Sequence, residues 1–221
     1  MDEILRFLQT HPLFAGLDQP ALDDAARCVR RRAMRRNEQI LLEGDPAHSA
    51  YFVAQGRVLV YRLAASGREL VLADASAGGA FNLVPAVDGR PAPSGVVARS
   101  DGALYVISRE DFTRLLFKYP AFAQGVLVDF AGRLRQLAGL VADLALRTVA
   151  ERLARLLLQM AAGALPAERF TQQELANRLG TVREVISRTL RDFENDGLIV
   201  FDRHRIVIAD RKRLEALAYQ T

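Results

Sequence analysis

Residues 170–207 read FTQQELANRLGTVREVISRTLRDFENDGLIVFDRHRIV, and they are the most informative part of the chain. Thr171 and Glu174 form a T-x-x-E capping box, which predicts that a helix begins here. Gly180 ends the apolar face of that helix and allows a tight turn. A second helix is predicted after the turn, because apolar residues and one threonine recur at helical spacing: Val182, Val185, Ile186, Thr189, Leu190 and Phe193.

Two short apolar runs follow the second helix. They cover Leu198–Phe201 and Arg205–Ile208, and the polar residues Asp202–His204 between them indicate a hairpin. A helix, a turn, a helix and a hairpin in this order predict a winged helix-turn-helix. Such a fold places its second helix, residues 182–194 here, in the major groove of DNA.

The second helix leaves one face without apolar residues. That face carries Arg183, Glu184, Ser187 and Arg188. Arginine suits the O6 and N7 atoms of guanine, and glutamate can accept a hydrogen bond from cytosine N4. We predict that these four residues read DNA bases and that Thr171, Gln172 and Thr181 contact the DNA from the helix starts.

Two other interpretations of this segment remain open. In the first, the charged residues only solvate a surface helix, and Glu184 pairs with Arg188 one turn away. In the second, the chain is a scaffolding or signal-binding protein whose winged helix contacts other proteins. The capping box, the glycine turn and the hairpin together favour DNA binding.

The overall composition sets broad limits on function. The chain has 221 residues, half of them hydrophobic, and a net charge of +4, which permits an anionic partner without requiring one. The single cysteine, Cys28, excludes an internal disulfide and a multi-cysteine iron–sulfur or zinc site within the chain. No Ser/His/Asp set, metal-ligand spacing or phosphate-binding glycine loop appears, so no enzymatic activity is expected.

The N-terminus lacks the features of a signal peptide. No uncharged apolar run approaches the roughly 18 residues that would span a bilayer. We therefore expect a cytoplasmic protein that does not contact membranes.

The first half of the chain changes character near Ala33. Before this point the pattern predicts short helices, and afterwards six short apolar runs predict strands: Gln39–Leu42, Ala50–Ala54, Val58–Leu63, Glu69–Ala73, Val96–Ala98 and Ala103–Ile107. Glycines at 44, 56, 67, 79 and 89 separate these runs, and Ser66–Gly67 is a credible hairpin turn. This spacing predicts an all-β barrel or jelly roll. The arginines between 27 and 36 are interpreted as a solvated edge beside the first strand.

A long helix is predicted to follow Pro120. Its apolar residues alternate spacings of four and three: Ala123, Leu127, Phe130, Leu134, Leu137, Val141 and Leu144. This heptad seam is typical of a two-stranded dimer interface and extends over roughly 32 Å at 1.5 Å per residue. The alternative is a helix that packs only on its own barrel, which usually shows a wider apolar stripe.

A barrel, a heptad helix and a winged helix in this order resemble the cyclic-AMP receptor protein/fumarate-nitrate regulator family of bacterial transcription factors. The resemblance covers essentially the whole chain and is carried by EGDPAHSAYFVAQGRVLVYR (residues 43–62), SREDF (108–112), RLARLLLQMA (152–161) and the second helix of the helix-turn-helix. It implies an α+β architecture: a jelly-roll sensor domain at 1–120, a dimerisation helix at 121–146 and a winged helix-turn-helix at 147–221. It also implies a homodimer that binds pseudo-palindromic promoter DNA and contacts RNA polymerase, as an activator or a repressor.

The family reads DNA through an E-x-x-[SG]-R core, often preceded by arginine. The matching positions here are Arg183, Glu184, Ser187 and Arg188. Many relatives have Ser or Thr where this chain has Val182. We expect Thr181 to cap the helix instead, starting it one residue earlier.

The cyclic-nucleotide motif of the family is missing. Asn82 and Leu83 stand at the Gly-Glu positions, and Ala92 stands where the phosphate-binding arginine belongs. A buried phosphate without such a cation is strongly disfavoured. Arg90 lies two residues away, where its reach differs. We therefore do not expect cyclic-nucleotide binding.

The missing motif leaves the expectation of an apolar barrel pocket that faces a leucine-rich helix. This suits haem, as in the nitric-oxide and carbon-monoxide sensors of the family, with His11 or His48 as axial ligand. The alternative is that both histidines are surface or loop residues. Another apolar or oxidised small molecule ranks second as the signal, and constitutive activity ranks third.

Overall fold

A computed structural model describes residues 2–46, 48–163, 170–202 and 205–219. The chain forms two compact units: residues 1–62 with 72–136, and residues 63–71 with 137–221. In the part of the chain described, no helix is long and apolar enough to cross a membrane.

The first unit contains the N-terminal helices and the barrel. In chain order its elements are α1 (Asp2–Thr10), a 3₁₀ turn (Pro12–Phe14), α2 (Gln19–Cys28), β1 (Val29–Met34), β2 (Gln39–Leu41), β3 (Ser49–Gln55), β4 (Arg57–Leu63), β5 (Glu69–Ser76), β6 (Ala80–Phe81), α3 (Leu83–Asp88), β7 (Gly95–Ala98), β8 (Gly102–Ser108), α4 (Arg109–Lys118) and α5 (Pro120–Leu146). Helix α5 begins in this unit and ends in the second one.

The strands form two four-stranded sheets, in the orders β1-β8-β3-β6 and β2-β7-β4-β5. Alternate side chains from both sheets, among them Val53, Val58, Val96 and Leu104, form one buried cluster. The predicted jelly roll is confirmed. Between β4 and β5 the predicted turn is also present, because Gly67 has a φ of +80° and donates to the carbonyl of Ala64 at 2.8 Å.

The first strand begins earlier than predicted. Strand β1 starts at Val29, directly after α2, so part of the arginine cluster at 27–36 lies inside the strand. The ends of β1 are buried through Val29 and Met34, while Arg30 and Arg31 between them are exposed. Pairing with β8 stabilises this arginine-rich segment as a strand, which its local sequence does not indicate.

The second unit contains α6 (Val149–Ala161), α7 (Gln172–Leu179), α8 (Arg183–Asn195), β9 (Ile199–Asp202), β10 (Arg205–Ile208) and α9 (Arg211–Ala218). Its core brings together Leu153, Leu175, Ile186, Phe193 and Leu214. The predicted winged helix-turn-helix is confirmed. Asp202 belongs to β9, and the rest of the predicted turn, 203–204, lies outside the described residues. Residues 163–167, which the sequence predicts as a small loop before the helix-turn-helix, also lie mostly outside them.

The start of α7 agrees with its predicted cap, whereas the start of α8 does not. Thr171 Oγ1 accepts from the N–H of Glu174 at 3.2 Å, and the Glu174 carboxylate accepts from the N–H of Thr171 at 2.8 Å. Gly180 has a φ of +63°. The expectation that Thr181 caps α8 is wrong, because α8 begins at Arg183 with Val182 as N-cap and no side-chain hydrogen bond.

Candidate nucleic-acid interface and ligand pocket

Helix α8 is anchored through one face and exposes the other. Ile186, Leu190 and Phe193 are buried in the core of the second unit. On the opposite side Arg183, Glu184 and Arg188 are exposed and Ser187 is half-buried. The predicted base-reading residues therefore lie together on the solvent side of a firmly packed helix.

The exposed charges of α8 are not engaged with each other. Among the described residues, Arg183, Glu184 and Arg188 make no ion pair and no side-chain hydrogen bond, although most other arginines of the structure do. The pairing of Glu184 with Arg188, which belongs to the alternative of a solvated surface helix, is absent among the described residues. Their donors and acceptors remain available to an external partner.

Both helices of the motif start near residues predicted to contact DNA. Thr171 is the exposed N-cap of α7, and Gln172 is its first residue. Thr181 is half-buried beside the start of α8, where Val182 offers no side-chain cap. Uncapped N–H groups at a helix start carry partial positive charge and suit a phosphate oxygen.

The predicted seam on α5 is largely exposed. Leu127 (66 %), Leu134 (69 %), Leu137 (47 %), Val141 (65 %) and Leu144 (37 %) all present apolar surface to solvent. Phe130 differs, because it is partly buried against the core of the first unit. The stripe is therefore a candidate dimer interface, and Phe130 also serves the fold of its own unit.

A cavity of about 720 Å³ lies in the first unit, between the segment Ala73–Ala80 and α5. Its walls from the barrel side are mainly alanine and glycine, and α5 contributes Gln124, Asp129, Arg133 and Gln136. The expectation of an apolar pocket facing a leucine-rich helix is wrong. None of the leucines of α5 lines the cavity, because four of them lie on the exposed stripe, and the helix contributes polar side chains to the wall instead.

The positions of the missing nucleotide motif lie outside this cavity. Leu83 and Ala92 are both 2 % exposed and belong to the packed interior. Asn82 uses its amide to donate to the carbonyl of Ser49 at 2.8 Å. Arg90 is exposed, so it does not replace the missing arginine as a buried phosphate anchor.

The two haem-ligand candidates have different surroundings. His11 lies in the connection between α1 and the 3₁₀ turn, as the alternative of a loop residue expects, but it is buried at 3 % exposure and lines the cavity. Its Nδ1 accepts a hydrogen bond from the N–H of Leu13 at 3.2 Å. A histidine that binds iron through Nε2 carries its proton on Nδ1 and donates it, so this arrangement does not fit haem ligation. His48 is exposed in a loop and does not line the cavity.

Comparisons with known proteins agree with this architecture. Residues 31–119 match the family profile of the cyclic nucleotide-binding domain, and residues 151–217 match that of the Crp-like helix-turn-helix domain. The chain is 31 % identical to the cyclic AMP receptor protein of Thermus thermophilus, over 94 % of this chain and 97 % of that protein. It is 28 % identical to the CRP-like cAMP-activated global transcriptional regulator of Mycobacterium tuberculosis, over 97 % of this chain and 98 % of that protein. The structure of FixK2 from Bradyrhizobium japonicum is similar at a TM-score of 0.71 and 26 % identity, covering 86 % of this chain and 98 % of that one.

Proposed function

Because the chain belongs to the cyclic-AMP receptor protein/fumarate-nitrate regulator family of DNA-binding transcriptional regulators, we propose that it is a homodimer that reads a pseudo-palindromic promoter site through α8. We further propose that its signal is a small molecule other than a cyclic nucleotide. Members of this family bind DNA, typically as dimers, and they are not enzymes, as the sequence also predicts. Cytoplasmic location and contact with RNA polymerase are part of this proposal.

The observation that carries the DNA proposal is the unpaired charged face of α8. Arg183, Glu184 and Arg188 are exposed, lie on one side of a packed helix and have no intramolecular partners among the described residues. Their residue types match the donors and acceptors that guanine and cytosine present in the major groove. If this face of α8 only solvated the helix, it would not require two arginines and a glutamate at positions 183, 184 and 188.

The proposal about the signal rests on the pocket. Leu83 and Ala92 stand where members of the family carry the glutamate and the arginine that hold a cyclic nucleotide, and both are buried outside the cavity. Cyclic AMP is nevertheless the second candidate signal, because two relatives that span nearly the whole chain are named for it. Haem is not proposed, since neither His11 nor His48 offers a suitable ligand.

Selection from random duplexes tests the DNA proposal. We expect enrichment of an inverted repeat whose half-sites are centred about 34 Å apart, one helical turn. Arg188→Ala should weaken binding to the selected site about 5- to 150-fold and relax preference at one base pair. Arg27→Ala in α2 removes the same charge from an exposed position outside α8 and serves as control.

Two results would contradict this proposal. The first is failure to enrich any inverted repeat, with or without cell extract, which would favour the scaffolding alternative. The second is an Arg188→Ala protein that binds every duplex as the Arg27→Ala control does.

Titration with cyclic AMP tests the signal separately. Sub-micromolar binding of cyclic AMP that strengthens DNA affinity would show that the pocket argument is wrong.

A further inference from the structure

The side chain of His11 is held rigidly between α1 and α2. It is the N-cap of the 3₁₀ turn, and its ring lies among those of Phe7, Phe14 and Phe52, with centroid distances of 5.3, 5.7 and 5.2 Å. At 3 % exposure the ring is almost fully buried. The aromatic contacts and the hydrogen bond from Leu13 together fix its orientation.

The hydrogen bond from Leu13 also fixes the protonation of the ring. Since Nδ1 accepts from the Leu13 N–H at 3.2 Å, it carries a lone pair and no proton. Burial lowers the pKa of His11 to about 4, while the charge of Asp129 and the backbone of Gly78 act in the opposite direction. The ring is therefore neutral near pH 7, and its proton is on Nε2.

The Nε2–H of His11 makes no well-formed hydrogen bond among the described protein atoms, although the backbone of Gly78 lies near enough to raise the pKa of the ring. Leaving a buried donor unsatisfied is costly, and native proteins rarely do so without a functional reason. This donor belongs to a side chain that lines the 720 Å³ cavity, whose volume is in the range of small-molecule sites. His11 therefore offers the cavity one buried hydrogen-bond donor.

The charged groups at the wall of the cavity are already paired. The Asp129 carboxylate pairs with Arg133, whose guanidinium also donates to the carbonyl of Ala80 at 2.8 Å. Asp74 pairs with Arg57 at 2.9 Å. The acidic groups at the wall are thus neutralised and offer little to a cationic ligand.

The wall beside His11 is closely packed and well defined. A Cβ atom on Gly125 of α5 would lie 2.5 Å from the carbonyl oxygen of Leu13, so the helix touches the α1–α2 connection directly. A Cβ on Gly16 would lie 3.1 Å from that of Ala121. This packing places the His11 donor at a fixed distance from α5, as a preorganised site requires.

We propose that this cavity binds a small organic molecule that presents a carbonyl or carboxylate oxygen to the Nε2–H of His11. The inference rests on the proposed function, for which it names the chemical class of the signal. A ligand of this class satisfies the buried donor that His11 brings to the cavity. A cationic ligand without an acceptor oxygen does not.

The experiment uses three probes of similar size: acetophenone, benzoate and benzylammonium. The full-length protein with ¹⁵N-labelled histidine is titrated with each, and the ring nitrogens of His11 are followed by NMR, with exposed His48 as internal control. We expect Nδ1 to be unprotonated and Nε2 to be protonated. At least one acceptor probe should shift Nε2 and bind about tenfold more tightly than benzylammonium. Comparing acetophenone with benzoate distinguishes a neutral carbonyl from a carboxylate.

Two variants complete the test. His11→Phe retains an aromatic ring and removes the donor, and it should abolish the preference for acceptor probes. His11→Asn retains an acceptor for the Leu13 N–H, which keeps the test usable if His11→Phe does not fold. Protonated Nδ1, no shift with either acceptor probe, equal binding of benzylammonium, or an unchanged preference in the variants would overturn the proposal. The selection of DNA duplexes by the wild-type protein is measured in parallel. A failure of that selection counts against the proposed regulator function and not against the proposed ligand.

Discussion

Leu134→Asp should disrupt the homodimer while leaving each protomer folded. Leu134 lies at the centre of the α5 stripe and is 69 % exposed in the single chain, so its substitution leaves no cavity in the protomer core. Phe130 is a poorer choice although it belongs to the same seam. It packs against the core of the first unit, and a charge there would destabilise the protomer as well.

The size of the effect follows from the exposed surface. Fully burying a leucine side chain stabilises by about 1.5–3 kcal/mol. With 69 % of Leu134 exposed, dimer formation can recover about two-thirds of this, roughly 1–2 kcal/mol per chain. A two-fold interface contains the residue twice, so loss of both side chains weakens the dimer by about 2–4 kcal/mol, or about 30- to 700-fold in Kd. Two buried aspartates add a desolvation cost to this.

Sedimentation over a concentration series measures the monomer–dimer equilibrium directly. Phe117→Asp in α4 is the matched control, because Phe117 is 87 % exposed and lies outside the stripe. We expect Leu134→Asp to be monomeric at concentrations where the control is dimeric, with both melting at wild-type temperature when diluted to monomer. A Leu134→Asp protein that dimerises as tightly as the control would show that the stripe is not the interface.

The other two predictions concern the first unit. Gly125→Ala should lower the free energy of unfolding by about 1–3 kcal/mol, because the new Cβ would lie 2.5 Å from the carbonyl oxygen of Leu13. Gly132→Ala in the same helix is the control, since its new Cβ meets no atom within 4 Å. This control should raise the free energy of unfolding by about 0.5–1 kcal/mol. Urea unfolding compares the two, and equal effects would contradict the packing described. In the second prediction, the free energy of unfolding falls as pH decreases from about 6.5 to about 4. His11 has a pKa of 6.5 in the unfolded chain and of about 4 in the folded protein, so in this range only the unfolded chain binds the proton. The loss of stability reaches about 3 kcal/mol below this pH range. It should be absent from the His11→Phe protein. An unchanged pH dependence in that variant would refute the assignment of this effect to His11.

Local signals in the sequence predicted the second unit well. The Thr171–Glu174 capping box, Gly180 and the apolar spacing of α8 each act within a few residues, so they can be identified without knowledge of the fold. The same signature at Thr148 and Glu151 marks the start of α6, and it too can be identified in the sequence alone. Helix α9 was missed, because eight residues with three basic side chains give a weak pattern.

The first unit shows where local signals become insufficient. Strand β1 depends on pairing with β8, although the paired residues run from Val29 with Ile107 to Met34 with Gly102 and are far apart in the sequence. The N-cap of α8 falls on Val182, whose backbone is extended (φ −110°, ψ 154°), although Thr181 has the side chain that better suits a cap.

The sequence by itself determined the order of the elements, the face of α8 that meets solvent and the loss of the nucleotide motif, because each depends on residue type and near-neighbour spacing. Only the tertiary structure decided what surrounds the ligand cavity. His11, Gly78 and Asp129 are far apart along the chain, yet packing places them at one wall and turns the leucines of α5 away from it. The tautomer of His11 likewise depends on a backbone N–H whose direction follows from the folded turn. Burial and hydrogen-bond direction are properties of the assembled chain, and no spacing in the sequence encodes them.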